Sequence, residues 1–405
     1  AASSLTIQNS VFAAGEEKIK VALIGCGGRG KGALGNFMQA AQHLKIKPEI
    51  VALADYFKAP AVNAASKFGV SKEKCFTGPK AYKDIMKTDA DVVLLVTPPN
   101  FRPVHFEAAT KAGKHVFMEK PVAVDAPGAR KIIKTGQLAK EKGLSVVAGT
   151  QRRHQKEYIQ TQYAVEKGAI GDIKAGKVWW CSGRLGYHER QPGESDADYM
   201  IRNWLNFVEM SGDHIVEQHV HNIDVANWFI GRTPKIALGF GGRARRKTGN
   251  QYDFFSIDFD YKDGVSVHSM CRQLNGGYKR IGEFFTGTLG TTWGTGNGIK
   301  GFPKEVNIAE AKCVSNPYVQ EHIDLIKSIV NGKPINEAKN VAESTLTAIM
   351  GRISAYTGKP VRFRELTDEM YGSPWYFKEL KPTPEDFEKG TVKAPEEKAP
   401  IPGRI

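Results

Sequence analysis

Over residues 18–150 the chain alternates short apolar runs with longer amphipathic stretches. Val21 to Ile24, Glu49 to Ala54, Asp91 to Val96, Lys114 to Met118 and Ser145 to Ala148 are apolar along most of their length. Such runs mark strands covered on both faces, because a half-exposed strand would alternate instead. Between them Ala33 to Leu44, Pro60 to Phe68, Tyr82 to Lys87, Pro103 to Ala112 and Pro127 to Lys142 carry helical spacing. Strand and helix in strict alternation predict an α/β fold built on a doubly wound parallel sheet.

Beyond Gly149–Arg153 the pattern changes. Ala175 to Ser182, Phe254 to Tyr261, Val265 to Arg272 and Lys279 to Thr286 read as strands, most of them joined by Gly- or Asp-rich turns. They predict an α+β domain with a large open, mostly antiparallel sheet. One helix (Val216 to Phe229) is expected between the first two of these strands, and a pair (Val319 to Val330, Val341 to Thr357) after the last. The organisation expected is therefore 1–17 as a signal remnant or flexible arm and 18–150 as a nucleotide-binding domain. Residues 151–360 are expected as a second, α+β domain, and 361–405 as an extended tail rich in Pro, Glu and Lys.

The turn after the first strand reads Gly25-Cys26-Gly27-Gly28-Arg29-Gly30, which fits G-x-G-x-x-G. Gly25 permits the bend, Gly27 lets the backbone approach a pyrophosphate, and Gly30 allows close helix–strand packing. The helix that follows offers free N–H groups to the phosphates. Asp55, at the end of the second strand, stands where a dinucleotide fold places its ribose-binding carboxylate. An acid there repels a 2′-phosphate, which favours NAD over NADP, although Arg29 can hold either a pyrophosphate or an extra phosphate.

Composition narrows the field. The 405 residues are 41% hydrophobic and 25% charged, with a formal net charge of +14. That charge is spread along the chain, and its densest cluster, Arg243 to Lys247, has no interleaved aromatics. A solvated basic surface is the reading, with no nucleic-acid partner. Five scattered cysteines without a C-x-x-C indicate neither zinc nor a disulfide framework. No apolar run approaches the ~18 residues needed to span a bilayer. The opening AASSLTIQNSVFAAG resembles the end of a secretory signal, with cleavage near Ala13 or Ala14, so a periplasmic or otherwise exported location is expected. The alternative is an arm packed on a neighbouring subunit in a cytoplasmic protein.

Four motifs then stand together: the GCGGRG loop, TPPNFRPVH (Thr97 to His105), MEKP (Met118 to Pro121) and EQHVHNIDVANW (Glu217 to Trp228). On these the chain resembles the Gfo/Idh/MocA superfamily of oxidoreductases over about residues 18 to 360. The resemblance implies a Rossmann domain binding NAD, and a carbohydrate or cyclitol substrate in a homodimer or homotetramer; export would require that NAD to be held tightly, because no dinucleotide pool reoxidises it outside the cytoplasm.

It further implies that His221 accepts the hydroxyl proton and that Lys120 steadies the oxygen. Glu217 stands where the family more often has aspartate. An imidazole suits a general base, and Lys120 leaves the C-terminal end of a strand, where open α/β sheets bind ligands. On a single helix Glu217, His221 and Asp224 share one face, with His214 on the same side. The resemblance also places Thr97, Pro98, Asn100, His105, Glu119 and Lys120 beside the cofactor, with local packing at the start of its helix the equal alternative for His105.

Substrate contacts are expected from Arg152, His154, Trp180, Tyr187, Arg202, Trp204 and His214, since aromatics interleaved with arginine and histidine suit a polyhydroxylated ring. Core packing is the competing role for each aromatic. A His214–Glu217–His221 metal triad is outweighed by substrate binding or core satisfaction, and no metal is expected. The activity expected is reversible oxidation at a carbinol carbon of a sugar, glycoside or cyclitol. The alternatives are a glycosidase working by transient 3-oxidation, elimination, hydration and re-reduction, and a non-catalytic sugar or dinucleotide sensor.

Overall fold

The computed structural model describes residues 18–298, 313–368, 370–371 and 378–404. The N-terminal segment read as a signal remnant or arm, and part of the C-terminal tail, lie outside the described residues.

Six strands form the first sheet: β1 (Lys18–Ile24), β2 (Lys47–Asp55), β3 (Cys75–Thr77), β4 (Val92–Leu95), β5 (His115–Met118) and β6 (Val146–Ala148). Their order is β3-β2-β1-β4-β5-β6, all parallel. The chain winds outward in both directions from β1, so the crevice between the C-terminal ends of β1 and β4 is the topological switch point, where ligands of such sheets bind. The apolar runs are buried on both faces, as their continuity predicted. Ile19, Val21 and Leu23 face one core and Ala22 and Ile24 the other.

The second sheet has seven strands: β7 (Ile173–Ser182), β8 (Ile236–Gly242), β9 (Phe254–Asp260), β10 (Ser266–Gln273), β11 (Arg280–Gly287), β12 (Thr291–Trp293) and β13 (Val361–Arg362). The order is β12-β11-β7-β10-β9-β8-β13, and every pair is antiparallel except β10 with β7. Two elements depart from expectation here. Glycine-rich β8 (IALGFGG) carries little strand propensity and was not anticipated. The single helix expected between the first two strands is instead a set of helices at Asp196–Arg202, Val208–Ser211, His214–Glu217 and Val220–Ile230.

Two late helices tie the sheets together. Pro317–Val330 returns to the first sheet, placing Val319, Ile323 and Ile326 in a core with Ile19 and Phe37. Ala338–Thr357 starts in the other core of that sheet, through Val341 and Ala342, and continues into the core of the second sheet through Leu346, Ile349 and Ile353.

Candidate active site

Three loops meet at the switch point: the glycine turn after β1, the Thr97–Asn100 loop after β4, and Glu119-Lys120-Pro121 after β5. The glycine turn is sterically defined. Gly25 has φ +98°, and a Cβ on it would lie 2.6 Å from the Val96 carbonyl carbon, while a Cβ on Gly30 would lie 1.7 Å from the Gly25 oxygen. Gly27 and Gly28 would meet nothing within 4 Å. The helix Gly28–His43 starts there with no side-chain cap on its free N–H groups. These features fit a bound pyrophosphate: open backbone donors with no side chain in the way. Asp55 accepts from Cys26 N at 2.7 Å and from Phe57 N at 2.9 Å, so it braces the glycine turn and orients itself at once. Burial raises its carboxyl above the ordinary value.

A cavity of about 360 Å³ opens beside these loops, lined in part by Arg29, Thr97, Glu119, Lys120, Glu217 and His221. Lys120, just after β5, and Glu217, at the end of the helix His214–Glu217, meet here. The ammonium donates to the backbone carbonyl of Glu217 and to its Oε1 at 3.0 Å. His221 shares the cavity, its ring stacked on Trp180 at 5.6 Å and 22°. Burial first, then the charges of Lys120, Arg152, Arg29 and His219, hold its imidazole well below the ordinary value. It is therefore neutral at physiological pH, the form that accepts a proton. Arg29 bridges Glu119 and the buried Glu321.

Residues 19–150 match an oxidoreductase family with an NAD-binding Rossmann fold, and residues 158–292 match the GFO/IDH/MocA C-terminal domain. The chain belongs to the Gfo/Idh/MocA oxidoreductase family. It is 26% identical over 205 residues to the inositol 2-dehydrogenase of Rhizobium meliloti, covering 51% of this chain and 54% of that protein. It is 29% identical over 185 residues to the 2,7-anhydro-N-acetylneuraminate hydratase of Mediterraneibacter gnavus, covering 44% of each. The chain spans about half the length of the curated relatives it matches. The WlbA dehydrogenase of Chromobacterium violaceum, solved with NADH and UDP-GlcNAcA, aligns at TM-score 0.68 and 18% identity, over 86% of this chain and 97% of that one. The scyllo-inositol dehydrogenase of Lactobacillus casei aligns at 0.66 and 19%, over 86% and 99%. These two likenesses concern the fold.

Within this Gfo/Idh/MocA frame several residues lie away from where the sequence placed them. The expected helix face fails because the helix is broken at Gln218–His219. Glu217 ends one helix and His221 lies in the first turn of the next, while Asp224 turns away to Arg153 at 2.8 and 2.9 Å and to Ser344 at 2.7 Å. His214 is buried on Asp213 and Phe255, away from the cavity lining. His105 packs between Tyr82 and Phe101, 3.3 Å from Thr97 Oγ1, and burial pulls its pKa down to about 3. Asn100 donates to Met210 Sδ at 3.2 Å. The carbonyl of Pro98 accepts from Phe101 N, and its neighbours Thr97 and Pro99 form the lining instead.

The substrate candidates divide similarly. Trp204 lines the cavity and Trp180 backs His221. His154 is enclosed by Asp324 at 2.7 Å and Glu337 at 3.3 Å; burial opposes its charge, but these carboxylates outweigh it and raise its pKa. Tyr187 bonds Tyr199 at 2.7 Å, and Arg202 pairs with Glu194. Arg152 pairs with Glu283 at 3.1 Å, behind Trp180. Sequence reasoning missed Arg102, whose three guanidinium nitrogens donate to the carbonyls of Leu95, Thr97 and Glu119 at 2.6, 2.7 and 3.0 Å. It also missed Gln151 and Tyr318 in the lining, and Glu283. An arginine inside TPPNFRPVH was the one signal available for these.

Proposed function

We propose that the protein is an NAD-dependent oxidoreductase acting on a carbinol carbon of a sugar, glycoside or cyclitol. The observation that carries this reading is the convergence of Lys120, Glu217 and His221 on one cavity at the switch point, beside an uncapped glycine turn. A bound nicotinamide would supply the hydride acceptor for the carbinol carbon, and the hydride donor in the reverse direction. Neutral His221 accepts the hydroxyl proton. Lys120, oriented by Glu217, donates to the same oxygen as negative charge develops on it. Arg29 and the free N–H groups of the glycine turn would hold the pyrophosphate, and Asp55 the adenosine ribose. With a carboxylate at that position, NAD is preferred to NADP.

The relative named as an inositol dehydrogenase supports a cyclitol or sugar, and the one named as a hydratase supports a second reading. Oxidation at C3 of a glycoside acidifies the C2 proton, so elimination, hydration and re-reduction give net hydrolysis. That sequence needs one group to take the C2 proton and another to protonate the leaving group. Two proton-handling side chains, His221 and Glu217, line the cavity.

Denaturing the purified protein and identifying any released dinucleotide tests the cofactor. Screening inositols, aldoses and nitrophenyl glycosides at the absorbance of the reduced nicotinamide tests the reaction. Net reduced dinucleotide supports the dehydrogenase, and free sugar without it supports the hydrolase. Turnover of none of these would overturn both.

Two further proposals concern assembly and location. Leu238, Phe240, Met270 and Trp293 are 51%, 66%, 37% and 38% exposed on the outer face of the second sheet. Copies of the chain pairing through that face would bury them, and Phe240→Glu should then lower the mass measured by light scattering. Export rests on the small-residue pattern at Val11-Phe12-Ala13, and cell fractionation tests it.

A further inference from the structure

Behind the cavity the wall carrying His221 is held by one carboxylate. Glu283, on β11, is 1% exposed. Its Oε1 accepts from Asn222 Nδ2 at 2.7 Å and lies 3.1 Å from Arg152 Nη1, while its Oε2 accepts from Tyr158 at 2.9 Å. Asn222 directly follows His221 in the first turn of the helix Val220–Ile230, so anchoring it fixes the rotation of that turn. Arg152 lies over Trp180 at 5.8 Å and over Tyr158 at 5.7 Å. Trp180 is the residue on which His221 stacks. Strand pairing places it opposite Ile281, two residues before Glu283.

We propose that Glu283 is a positioning residue for His221, holding Asn222 and Arg152 together at one oxygen while Tyr158 anchors the other, so that the imidazole stays against Trp180. A ring with this arrangement is restrained along both its helix and its stacking partner. A buried carboxylate bonded on both oxygens loses that role if any partner is repelled. Glutamine at position 283 still accepts through its carbonyl oxygen, but its amide then faces either Tyr158 or the Asn222 and Arg152 donors, and it carries no charge to hold the guanidinium. The inference rests on the proton-accepting role of His221 proposed above.

The test uses the full-length protein labelled with 13Cε1-histidine, with the His221 signal assigned by His221→Gln. Stacking on Trp180 shifts that signal by ring current, and Trp180→Leu defines its unstacked position. Glu283→Gln is expected to move the signal toward the unstacked position. It should also lower kcat by about 10- to 100-fold, as misplacement by about an ångström does, with KM changed less than about twofold. The carbinol for the kinetics is the best one from the screen above. The double variant Arg152→Met, Glu283→Gln removes the unpaired guanidinium and is expected to recover part of both shift and kcat.

An unmoved His221 signal in a folded Glu283→Gln protein would overturn the inference, even if stability fell. Recovery of neither quantity in the double variant would overturn it too. If instead His221→Gln turned over like the wild type, the proton-acceptor reading would fail, whatever the stacking signal showed.

Discussion

Lys120 and Glu217 lie 97 residues apart, yet the ammonium reaches two acceptors on this one partner, the main-chain carbonyl and the carboxylate. The backbone contact locates the ammonium; the carboxylate balances its charge. Both side chains are largely buried, at 13% and 11% exposure. That enclosure makes the pair a directed donor, unlike an exposed salt bridge of little worth.

Lys120→Ala should therefore lower kcat by about 10²- to 10³-fold, the cost of removing one donor to a developing oxyanion. Dinucleotide affinity, read by fluorescence titration, should change far less. Glu217→Gln keeps the backbone acceptor in place and should cost less than Lys120→Ala.

The pH dependence follows from His221. A proton acceptor works while neutral, and this imidazole is held below its ordinary value by burial and by nearby cations, Lys120 first among them. Oxidation should persist into mildly acidic solution and fall only as pH drops through the lowered pKa. Lys120→Met removes a positive neighbour, so the His221 pKa rises and the acid limb of kcat/KM moves to higher pH. A limb that stayed in place or moved down would contradict this electrostatic arrangement.

Stability should also fall on acidification from pH 7 to 5. Burial lowers the pKa of His105 and His219 to about 3 and of His115 to about 4. Below about pH 6.5 the unfolded chain binds protons that these buried rings do not, so the unfolded state gains. His154 and the buried Glu321, both with raised pKa, work in the opposite direction, but among the described residues they stand against five lowered imidazoles, His221 and His322 being the other two. Urea midpoints measured across this range check the sign.

Arg102 is a structural tie beneath the site. Its removal in Arg102→Met takes the side-chain donor from the carbonyls of Thr97 and Glu119, while that of Leu95 keeps Glu119 N; at ~1–3 kcal/mol for each of the two, the loss by urea unfolding should be about 2 kcal/mol or more. Arg102→Lys should not rescue it, because a single ammonium cannot reproduce the planar fork.

The C-terminal segment should matter to the dinucleotide crevice. Phe387 is buried with Phe101, Tyr199 and Phe207, joining the loop after β4 to the second body, and Glu388 reaches Tyr82 at 2.8 Å and also pairs with Lys83. Phe387→Ala should cost about 3 kcal/mol, as truncating a buried phenylalanine does, and weaken NAD binding in isothermal titration.

Read alone, the sequence determined what depends on near neighbours along the chain. Continuous apolar runs specify doubly covered strands, the spacing of Gly25, Gly27 and Gly30 specifies the turn, and MEKP marks the loop that carries Lys120. It also identified Glu217 and His221, although for a helix face that does not exist. Folding decided the rest, because those choices depend on partners far away in the chain. Whether a histidine faces a cavity or a core depends on what packs against it, so His105, His154 and His214 were drawn into packed surroundings while His221, though also buried, lines the cavity. Arg152 was claimed by Glu283, 131 residues away, because a buried guanidinium must find a carboxylate wherever the second sheet supplies one.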